Sequence, residues 1–328
     1  MRVLICGGAG YIGSHSVQLL KKQGHTVVVV DDLSTGHIHA SHFADQFYQT
    51  NILDLALLEK VFIENKFDAV FHFAAKLSVP ESFEIPYEYI ATNVTGTSNL
   101  LRLCAKYSVE KFIFSSTAAV YGEPSCSNLK EQVVESDICK PINHYGLTKK
   151  IAEELIHQHS LVYSGFKYKI LRYFNVSGAA VDGSNGPRNT KTGQLVLNLC
   201  HSALKEKKIK VFGNQFNTVD GTCVRDYIHV HDLAMAHLSA YENLRQNKTG
   251  IWNCGYGVGY SVLQVIRAFE KVNNIKFDVE ICEARKGDPA CIISNNTLIK
   301  SQSNWTPQFN DLEQICKSTY DWVKRGEF

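Results

Sequence analysis

A tyrosine and a lysine four positions apart, Tyr145 and Lys149, are the residues most able to do acid–base chemistry together. Residues at i and i+4 share one face of a helix, so both side chains would reach the same site. A free tyrosine has a pKa of about 10 and is a poor base at neutral pH. A neighbouring ammonium group, or the positive charge of an oxidised nicotinamide, lowers that pKa. A tyrosine tuned in this way can take a hydroxyl proton while hydride leaves the same carbon.

The pair alone is also typical of an ordinary helix surface, and a third residue strengthens the interpretation. Residues 111–115 are apolar enough to predict a strand, and Thr117 follows at its carboxyl end. Ligands of open α/β sheets bind outside the carboxyl ends of the strands. We therefore predict that Thr117 hydrogen-bonds the hydroxyl group from which Tyr145 takes the proton.

A glycine-rich turn over residues 7–13 predicts a dinucleotide site, because it follows an apolar strand and opens a helix. In such a turn Gly7 permits the tight bend, Gly10 lets the backbone approach a pyrophosphate, and Gly13 lets helix and strand pack closely. The helix N-terminus then offers free N–H groups to the phosphates. Asp31 ends the next strand, where a carboxylate binds ribose hydroxyls and repels a 2′-phosphate. We therefore expect NAD rather than NADP.

Alternating strands and helices would position these groups. Short β-branched runs at residues 3–6 and 26–30 flank a helical pattern over 11–24, which implies a parallel pair with a right-handed crossover. The alternation continues, with strands predicted at 69–73, 111–115 and 168–174 and helices at 87–107 and 143–163. The predicted fold class is α/β, a Rossmann-type doubly wound parallel sheet with a smaller mixed α/β C-terminal substrate domain.

The second half of the chain differs in character. Residues 181–193 lack periodicity and are rich in turn-forming residues, which predicts a loop. Strands are predicted beyond it at 211–212, 225–230 and 251–254, and helices at 261–272 and 311–324. We infer an NAD-binding domain of residues 1–176 plus about 228–256, and a nucleotide-sugar-binding domain of residues 177–227 and 257–328.

Composition excludes several classes of function. Lys and Arg total 34 and Asp and Glu total 32, so the basic excess of a dedicated nucleic-acid-binding protein is missing. The ten cysteines form no CxxC pair, so we expect no metal site. Scattered thiols, no signal-peptide core and no apolar run of about 20 residues lead us to expect a soluble cytoplasmic protein without membrane or nucleic-acid partners.

Together these residues resemble the extended short-chain dehydrogenase/reductase family, whose members share a GxxGxxG turn, an Asp after the second strand, a Ser or Thr, and YxxxK. Four further segments are similar to the UDP-glucose 4-epimerase branch of that family: HFAA at 72–75, NVTGT at 93–97, RYFNVSGA at 172–179 and RDYIHV at 225–230. The resemblance extends from Arg2 to Trp322. It implies an NAD-dependent 4-epimerase, an isomerase of galactose metabolism that interconverts UDP-glucose and UDP-galactose through a 4-keto intermediate. It also implies a homodimer.

Carried over position by position, the resemblance also implies the site residues. The catalytic residues are Tyr145, Lys149 and Thr117. The NAD-binding residues are Gly7, Gly10, Tyr11, Ile12, Gly13, Asp31, Asp32, Leu33, Ser34, Thr35, Gly36, Asn51, Ile52, Phe73, Ala74, Ala75, Lys76, Leu77, Asn93, Ser115, Tyr145, Lys149, Tyr173 and Phe174. The substrate-binding residues are Thr117, Asn175, Gly193, Gln194, Lys210, Val211, Phe212, Arg225, Arg285, Asp288 and Ile292.

The sequence departs from the family pattern at four places, one of which is Lys286, where a Glu or a Pro is common. Asn51 stands where an Asp usually faces the adenine amino group, although its side-chain oxygen still offers an acceptor. Gly193-Gln194 replaces the usual Asn-Leu or His-Leu before the helix that borders the uridine. Ile292 occupies the position that gates the hexose pocket, where a Tyr excludes N-acetyl sugars and a small residue admits them.

Proteins of the same fold can have other functions, which make different demands on the residues around Thr117. Sugar-nucleotide 4,6-dehydratases place Asp-Glu directly after the Thr, whereas Ala118-Ala119 follows Thr117 here, so the groups for elimination are missing. A 4-epimerase of another UDP-sugar (an N-acetylhexosamine, a pentose or a uronate) stays open. A non-catalytic NAD-binding protein is disfavoured because Thr117, Tyr145 and Lys149 are all intact.

Overall fold

The structure is a computed structural model that describes residues 1–124, 132–188, 193–205 and 207–326. Its strands are β1 (Arg2–Cys6), β2 (Thr26–Asp31), β3 (Gln46–Gln49), β4 (Ala69–His72), β5 (Lys111–Thr117), β6 (Lys167–Tyr173), β7 (Asn175–Ser177), β8 (Lys208–Phe212), β9 (Val224–His229), β10 (Gly250–Cys254), β11 (Gly259–Ser261), β12 (Asp278–Cys282) and β13 (Cys291–Ile292). Its helices are α1 (Tyr11–Lys22), α2 (Leu55–Glu64), α3 (Val79–Glu84), α4 (Pro86–Ile90), α5 (Gly96–Lys106), α6 (His144–Val162), α7 (Leu195–Leu204), α8 (Val230–Arg245), α9 (Val262–Asn273), α10 (Thr297–Gln302) and α11 (Leu312–Arg325). A π-helical turn (Ala91–Thr95) joins α4 to α5, and 3₁₀ turns occupy Ile38–Phe43 and Ala118–Val120.

Among the described residues, seven strands form one parallel sheet in the order β10-β6-β5-β4-β1-β2-β3. β1 lies in the interior, paired in parallel with β2 on one side and with β4 on the other. The chain therefore runs outward through β2 and β3, crosses back, and builds the other half from β4. Ligands bind at such a switch point, beyond the carboxyl ends of the strands. The predicted fold class is confirmed.

Apolar layers cover both faces of this sheet because its central strands are buried along their whole length. Alternate residues of a strand point to opposite faces. In β2, Val27 and Val29 pack in the core that contains α1 and α8, whereas Val28 and Val30 pack in the core that contains α2, α5 and α6. The continuous valine run is therefore the pattern of a strand buried on both sides.

The other strands build a smaller mixed unit. β9 pairs in parallel with β7 and β13 and antiparallel with β11, while β8 and β12 form a two-stranded parallel sheet. A third apolar core joins α7, α9 and α11 over these strands. Because β10 belongs to the central sheet, the chain returns to that sheet after β9. The domain boundaries given above stay a prediction.

The structure corrects the helix predicted over residues 87–107. The π-helical turn separates α4 from α5, so the segment is not one continuous α-helix. Within that turn the Asn93 side chain bonds to the backbone of Lys76. Gly96 then packs so closely that an added Cβ would lie 2.4 Å from Ile52 Cδ1. Turns of this kind are often found at functional sites.

Sequence periodicity also missed β3, α2 and α8. Helix α8 buries residues on nearly every side, between the sheet and α1, so it shows no single apolar stripe. Of the loop predicted over residues 181–193, residues 189–192 lie outside the described part of the chain. In the parts that the structure describes, no helix is both long and apolar enough to cross a membrane.

Because buried histidines resist protonation, we expect the free energy of unfolding to fall in mild acid. His237 on α8 is fully enclosed, and burial lowers its pKa to about 4. In the unfolded chain its pKa is about 6.5, so its contribution is full above that pH and declines as the pH falls toward 4. We expect the free energy of unfolding of wild type, relative to His237→Gln, to fall by up to about 1.4 kcal/mol per pH unit in that range. Urea denaturation of both proteins between pH 7.5 and 4.5 measures this difference, and parallel pH dependences would contradict it.

Candidate active site

The three predicted catalytic residues lie where the end of β5 meets the first turns of α6. Lys149 Nζ donates a hydrogen bond to the Ser115 carbonyl oxygen at 2.8 Å. The Thr117 side chain forms a hydrogen bond with the Tyr145 hydroxyl that favours its ionised form. The structure therefore brings a phenol, a hydroxyl and an amine to the carboxyl edge of the sheet, while their catalytic roles remain predictions.

Asn143 fixes the start of α6. Its side-chain oxygen accepts a hydrogen bond from the Gly146 N–H at 2.8 Å, which is the usual role of an N-cap residue. Its amide group also donates to the Gly287 carbonyl oxygen at 3.4 Å. The helix that carries Tyr145 is thereby attached to the loop that carries the predicted substrate residues Arg285 and Asp288.

Burial sets the protonation of this centre in the protein itself. It raises the pKa of Tyr145 to about 12, against the opposing hydrogen bond of Thr117. It lowers the pKa of Lys149 to about 7, against the opposing charge of Glu153. The phenol therefore keeps its proton at neutral pH unless a positive charge lies beside it. Burial also raises the pKa of neighbouring Tyr173, so that residue remains neutral as well.

The glycine turn after β1 has the shape that a dinucleotide requires. Gly7 has a φ of +82°, and a Cβ there would lie 2.5 Å from the Ala74 nitrogen. A Cβ on Gly13 would lie 2.1 Å from the Gly7 oxygen, so the helix can pack this closely only with glycine. No side chain caps the start of α1 at Gly10. The N–H groups of its first turn are therefore available to a phosphate.

Asp31 is buried at the end of β2 and held by the backbone. Its two oxygens accept hydrogen bonds from the Ala9 N–H at 2.9 Å and the Leu33 N–H at 2.8 Å. Burial raises the pKa of the carboxyl group, and these N–H groups oppose that rise. The carboxylate is therefore fixed beside the glycine turn, where the predicted adenosine ribose would lie.

Asn51 is also fixed in orientation. Its amide nitrogen donates to Asp32 Oδ2 at 2.7 Å, and its oxygen accepts from the Leu53 N–H at 2.8 Å. A carbonyl oxygen has two lone pairs, so one acceptor position of Asn51 remains. The acceptor predicted to face adenine is thus present.

Asn93 connects the predicted cofactor loop to the catalytic helix. It accepts from the Lys76 N–H at 2.8 Å and donates to the Lys76 oxygen at 3.0 Å and to Thr148 Oγ1 at 2.9 Å. The side chain is buried, and both ends of its amide are engaged. Its observed contacts therefore position residues 73–77 against α6.

Other predicted NAD-binding residues lie along the same carboxyl edge of the sheet. Residues 32–36 follow β2, residues 51–52 lie beyond β3, and residues 73–77 follow β4. Tyr173 ends β6, and Phe174 comes next. The structure thus places these predicted NAD-binding segments at or beyond the carboxyl ends of β2, β3, β4 and β6.

The predicted substrate residues form two linked groups. Arg225 on β9 lies with Nη2 3.9 Å from Asp288 Oδ1, and the Arg285 guanidinium lies 3.7 Å from the centroid of the Phe212 ring. Lys210 and Val211 precede Phe212 in the same strand, β8. Guanidinium groups suit phosphate oxygens because their donors match them as a fork.

Ile292 lies between Arg225 and the predicted catalytic residues. It pairs with Arg225 in the register of β13 and β9. Its side chain is buried in a cluster with Ala118 and Phe174, which directly follow Thr117 and Tyr173. The residue predicted to gate the hexose therefore contacts the walls of the catalytic site.

Three predicted substrate residues are less closely joined to the rest. Gly193 and Gln194 precede α7, and no described contact links them to Arg225, Arg285 or Phe212. Asn175 is exposed at the start of β7, where it pairs with Tyr227 of β9.

Sequence analysis missed the buried pair of Glu153 and Arg172, which lies against the catalytic centre. Arg172 Nη2 is 2.6 Å from Glu153 Oε2. Glu153 follows Lys149 by four residues and so continues the face of α6 that begins at Tyr145. That spacing is the signal that could have found it.

Comparisons with known proteins agree with this geometry. Residues 3–255 match the NAD dependent epimerase/dehydratase family, and the chain belongs to that family. It is 42% identical to the UDP-glucose 4-epimerase of Streptococcus mutans over 326 residues, covering 98% of this chain and 96% of that one.

Two solved structures are similar over nearly the whole chain. The UDP-Glc/GlcNAc 4-epimerase from Campylobacter jejuni has a TM-score of 0.84 at 41% identity, with 99% of both chains covered. The UDP-glucose 4-epimerase from Brucella ovis in complex with NAD has a TM-score of 0.91 at 37% identity, with 98% of this chain and 97% of that one covered.

Replacing Asp31 by Asn tests the ribose contact. An Asn is the same size but would present an NH₂ group to one of the two backbone donors, and it lacks the charge that repels a 2′-phosphate. We expect NAD affinity to fall roughly tenfold or more, because the charge that strengthens the hydrogen bonds from the ribose hydroxyls is lost and a hydrogen bond to a charged group contributes about 1.5–3 kcal/mol. The preference for NAD over NADP should narrow. Calorimetric titration of both nucleotides measures this. Asp321→Asn, at an exposed ion pair on α11, is the control, and equal affinities of the two variants would contradict the assignment.

Proposed function

We propose that this protein is an NAD-dependent isomerase that interconverts UDP-glucose and UDP-galactose through a 4-keto intermediate. The observation that carries this proposal is the position of Tyr145 and Lys149 on α6, facing Thr117 at the end of β5. The family supports this proposal, and so do relatives that are similar over nearly the whole chain and are named UDP-glucose 4-epimerase. Galactose metabolism is the role that this reaction implies.

NAD is the cofactor, and when bound it supplies the acceptor and later the donor of the C4 hydride. The chain's own residues handle the proton. Tyr145 takes the proton of the 4-hydroxyl as the C4–H bond breaks, and Thr117 holds that hydroxyl by a hydrogen bond. The ammonium group of Lys149 lowers the pKa of the phenol so that this transfer occurs near neutral pH. Tyr145 then returns the proton to the oxygen of the keto sugar.

Inversion requires that the keto sugar present both faces to the same groups. We propose that Arg225 and Arg285 hold the diphosphate firmly through charge-assisted hydrogen bonds. The hexose is held more loosely, next to the apolar cluster that contains Ile292. The sugar then turns about its diphosphate linkage while the nucleotide remains bound.

UDP-N-acetylglucosamine is a second candidate substrate, favoured by the size of Ile292. An isoleucine leaves more room than the tyrosine that excludes acetamido sugars. The similarity to an epimerase named for both UDP-Glc and GlcNAc supports this candidate.

We further propose a homodimer that works in the cytoplasm. The outer faces of α4 and α6 expose Tyr87, Ile90, Leu147 and Ile151 side by side, and a second copy of the same surface would cover them. No disulfide links the cysteines that the structure describes, as expected where thiols stay reduced.

Replacing Tyr145 by Phe tests the proposed reaction. The purified protein, without added NAD, is expected to convert UDP-glucose to UDP-galactose, followed by chromatography. Tyr145→Phe should reduce turnover by about 10²–10⁴-fold, the usual contribution of a general acid–base group, while NAD content stays unchanged. Near-normal turnover of the variant would overturn the role of Tyr145. Failure of the wild type with UDP-glucose, even with NAD supplied, would point to another UDP-sugar.

Replacing Gly193 by Asn tests the uridine contact. Gly193 has a φ of +69°, and a Cβ there would meet nothing within 4 Å. Asn adopts this left-handed backbone more readily than other side chains do. We expect Asn to add a hydrogen bond to the nucleotide and to strengthen UDP binding roughly threefold to tenfold, since a net hydrogen bond contributes about 0.5–1.5 kcal/mol. Gly193→Ala adds a Cβ at the same positive φ but no amide, so equal UDP affinities of the two variants by calorimetry would refute this contact.

A further inference from the structure

A buried ion pair lies one helical turn beyond Lys149. Arg172 of β6 holds the Glu153 carboxylate through Nη2 at 2.6 Å and through Nε at 3.0 Å and 3.2 Å. The two side chains are only 5% and 7% exposed. Taking two charges out of water costs more than such a pair commonly returns, and apolar residues of the same volume are often as stable. Stability alone is therefore a weak reason for a carboxylate at this position.

The carboxylate is attached to the strand that carries the catalytic threonine. Ser116 Oγ donates a hydrogen bond to Glu153 Oε1. One residue earlier, the Ser115 carbonyl oxygen accepts from Lys149 at 2.8 Å. One residue later, Thr117 meets Tyr145. Three consecutive residues of β5 are thus joined to three successive turns of α6, and Glu153 holds the third of these turns.

Glu153 is the anion that acts on Lys149 among the described groups around it. From β4, His72 faces the amine, and burial together with the Lys149 charge holds the pKa of that imidazole far below its usual range. From α8, His237 contacts Ser115 and is neutral for the same reason of burial.

The remaining ionisable neighbours of Lys149 do not carry a negative charge either. Tyr145 on α6 and Tyr173 on β6 both have a pKa raised by burial, so both are neutral phenols in the protein alone. Arg172 is a cation and is engaged with Glu153, Tyr121 and the Glu135 carbonyl oxygen. The field that favours a charged Lys149 therefore comes from Glu153.

We propose that Glu153 is a positioning residue of the catalytic centre, whose buried carboxylate favours the ammonium form of Lys149 and holds α6 against the end of β5. This inference rests on the proposed function, because Lys149 must be charged to stabilise the phenolate of Tyr145. Its test uses a direct titration of Lys149, which does not require turnover.

The first variant is Glu153→Gln, which removes the charge and keeps the size. In the NAD-bound protein, the pKa of Lys149 is read from the ¹³C shift of its ε-carbon, assigned with Lys149→Met. We expect that pKa to fall by roughly one unit, the smaller end of the effect of a nearby opposite charge. The pH at which kcat for UDP-glucose falls on the alkaline side should decrease by the same amount, while KM is unchanged. An unchanged titration would overturn the proposal.

Arg172→Gln separates charge from structure, because it breaks the same ion pair but leaves the carboxylate. We expect no fall in the Lys149 pKa in this variant. Ser116→Ala, which changes no charge, should also leave the pKa of Lys149 unchanged. An equal fall in Glu153→Gln and Arg172→Gln would show a purely structural role and overturn the proposal.

If Glu153→Gln does not fold, Glu153→Gln/Arg172→Met leaves no unpaired charge and is expected to show the same fall. If Lys149 of the wild type titrates as expected but the protein does not convert UDP-glucose, the proposed function is refuted and this inference is not.

Discussion

The proposed chemistry of this site depends on keeping an amine charged in an apolar interior. Lys149 is 3% exposed, and its Nζ lies 4.8 Å from the centroid of the Phe114 ring. Burial favours the neutral amine, whereas the proposed chemistry needs the ammonium ion. The Ser115 carbonyl oxygen, the face of the Phe114 ring and the charge of Glu153 all favour the ion. Because these groups come from β5 and α6, the contact between that strand and that helix cannot loosen without changing the charge of the amine.

The same strand and helix also connect the predicted catalytic groups to both predicted ligand sites. Asn93 joins the loop after β4 to α6 through Thr148, and Asn143 joins the start of α6 to the loop at Gly287. The predicted cofactor, catalytic and substrate segments thus all contact or belong to one helix, α6. Sites built on regular elements hold their geometry more closely than sites on loops. The arrangement suits a reaction in which only the hexose is required to turn.

The parts of the molecule that sequence predicted are those in which local pattern and function coincide. The glycine turn sits between a short apolar strand and a helix, and the helix over residues 143–163 is found at His144–Val162. Features that depend on distant contacts were not predictable. Glu153 meets Arg172 only because β6 lies next to β5. The π-helical turn at Ala91–Thr95 accompanies a bond between Asn93 and a loop 17 residues away, and α8 lacks an apolar stripe because tertiary packing surrounds it.

The departure from the family pattern at Asn51 can be understood from its neighbour. Asn51 donates its amide to Asp32 Oδ2 at 2.7 Å, and Asp32 also accepts from the Ser34 N–H at 2.9 Å. An aspartate at position 51 would bring a second carboxylate to hydrogen-bond distance of the first, and like charges that close cannot both ionise easily. With Asp32 present, an amide at position 51 satisfies the carboxylate and leaves an oxygen lone pair for a ligand. The substitution therefore preserves an acceptor beside the predicted adenine site, because the negative charge is carried instead by Asp32, directly after the neighbouring strand β2.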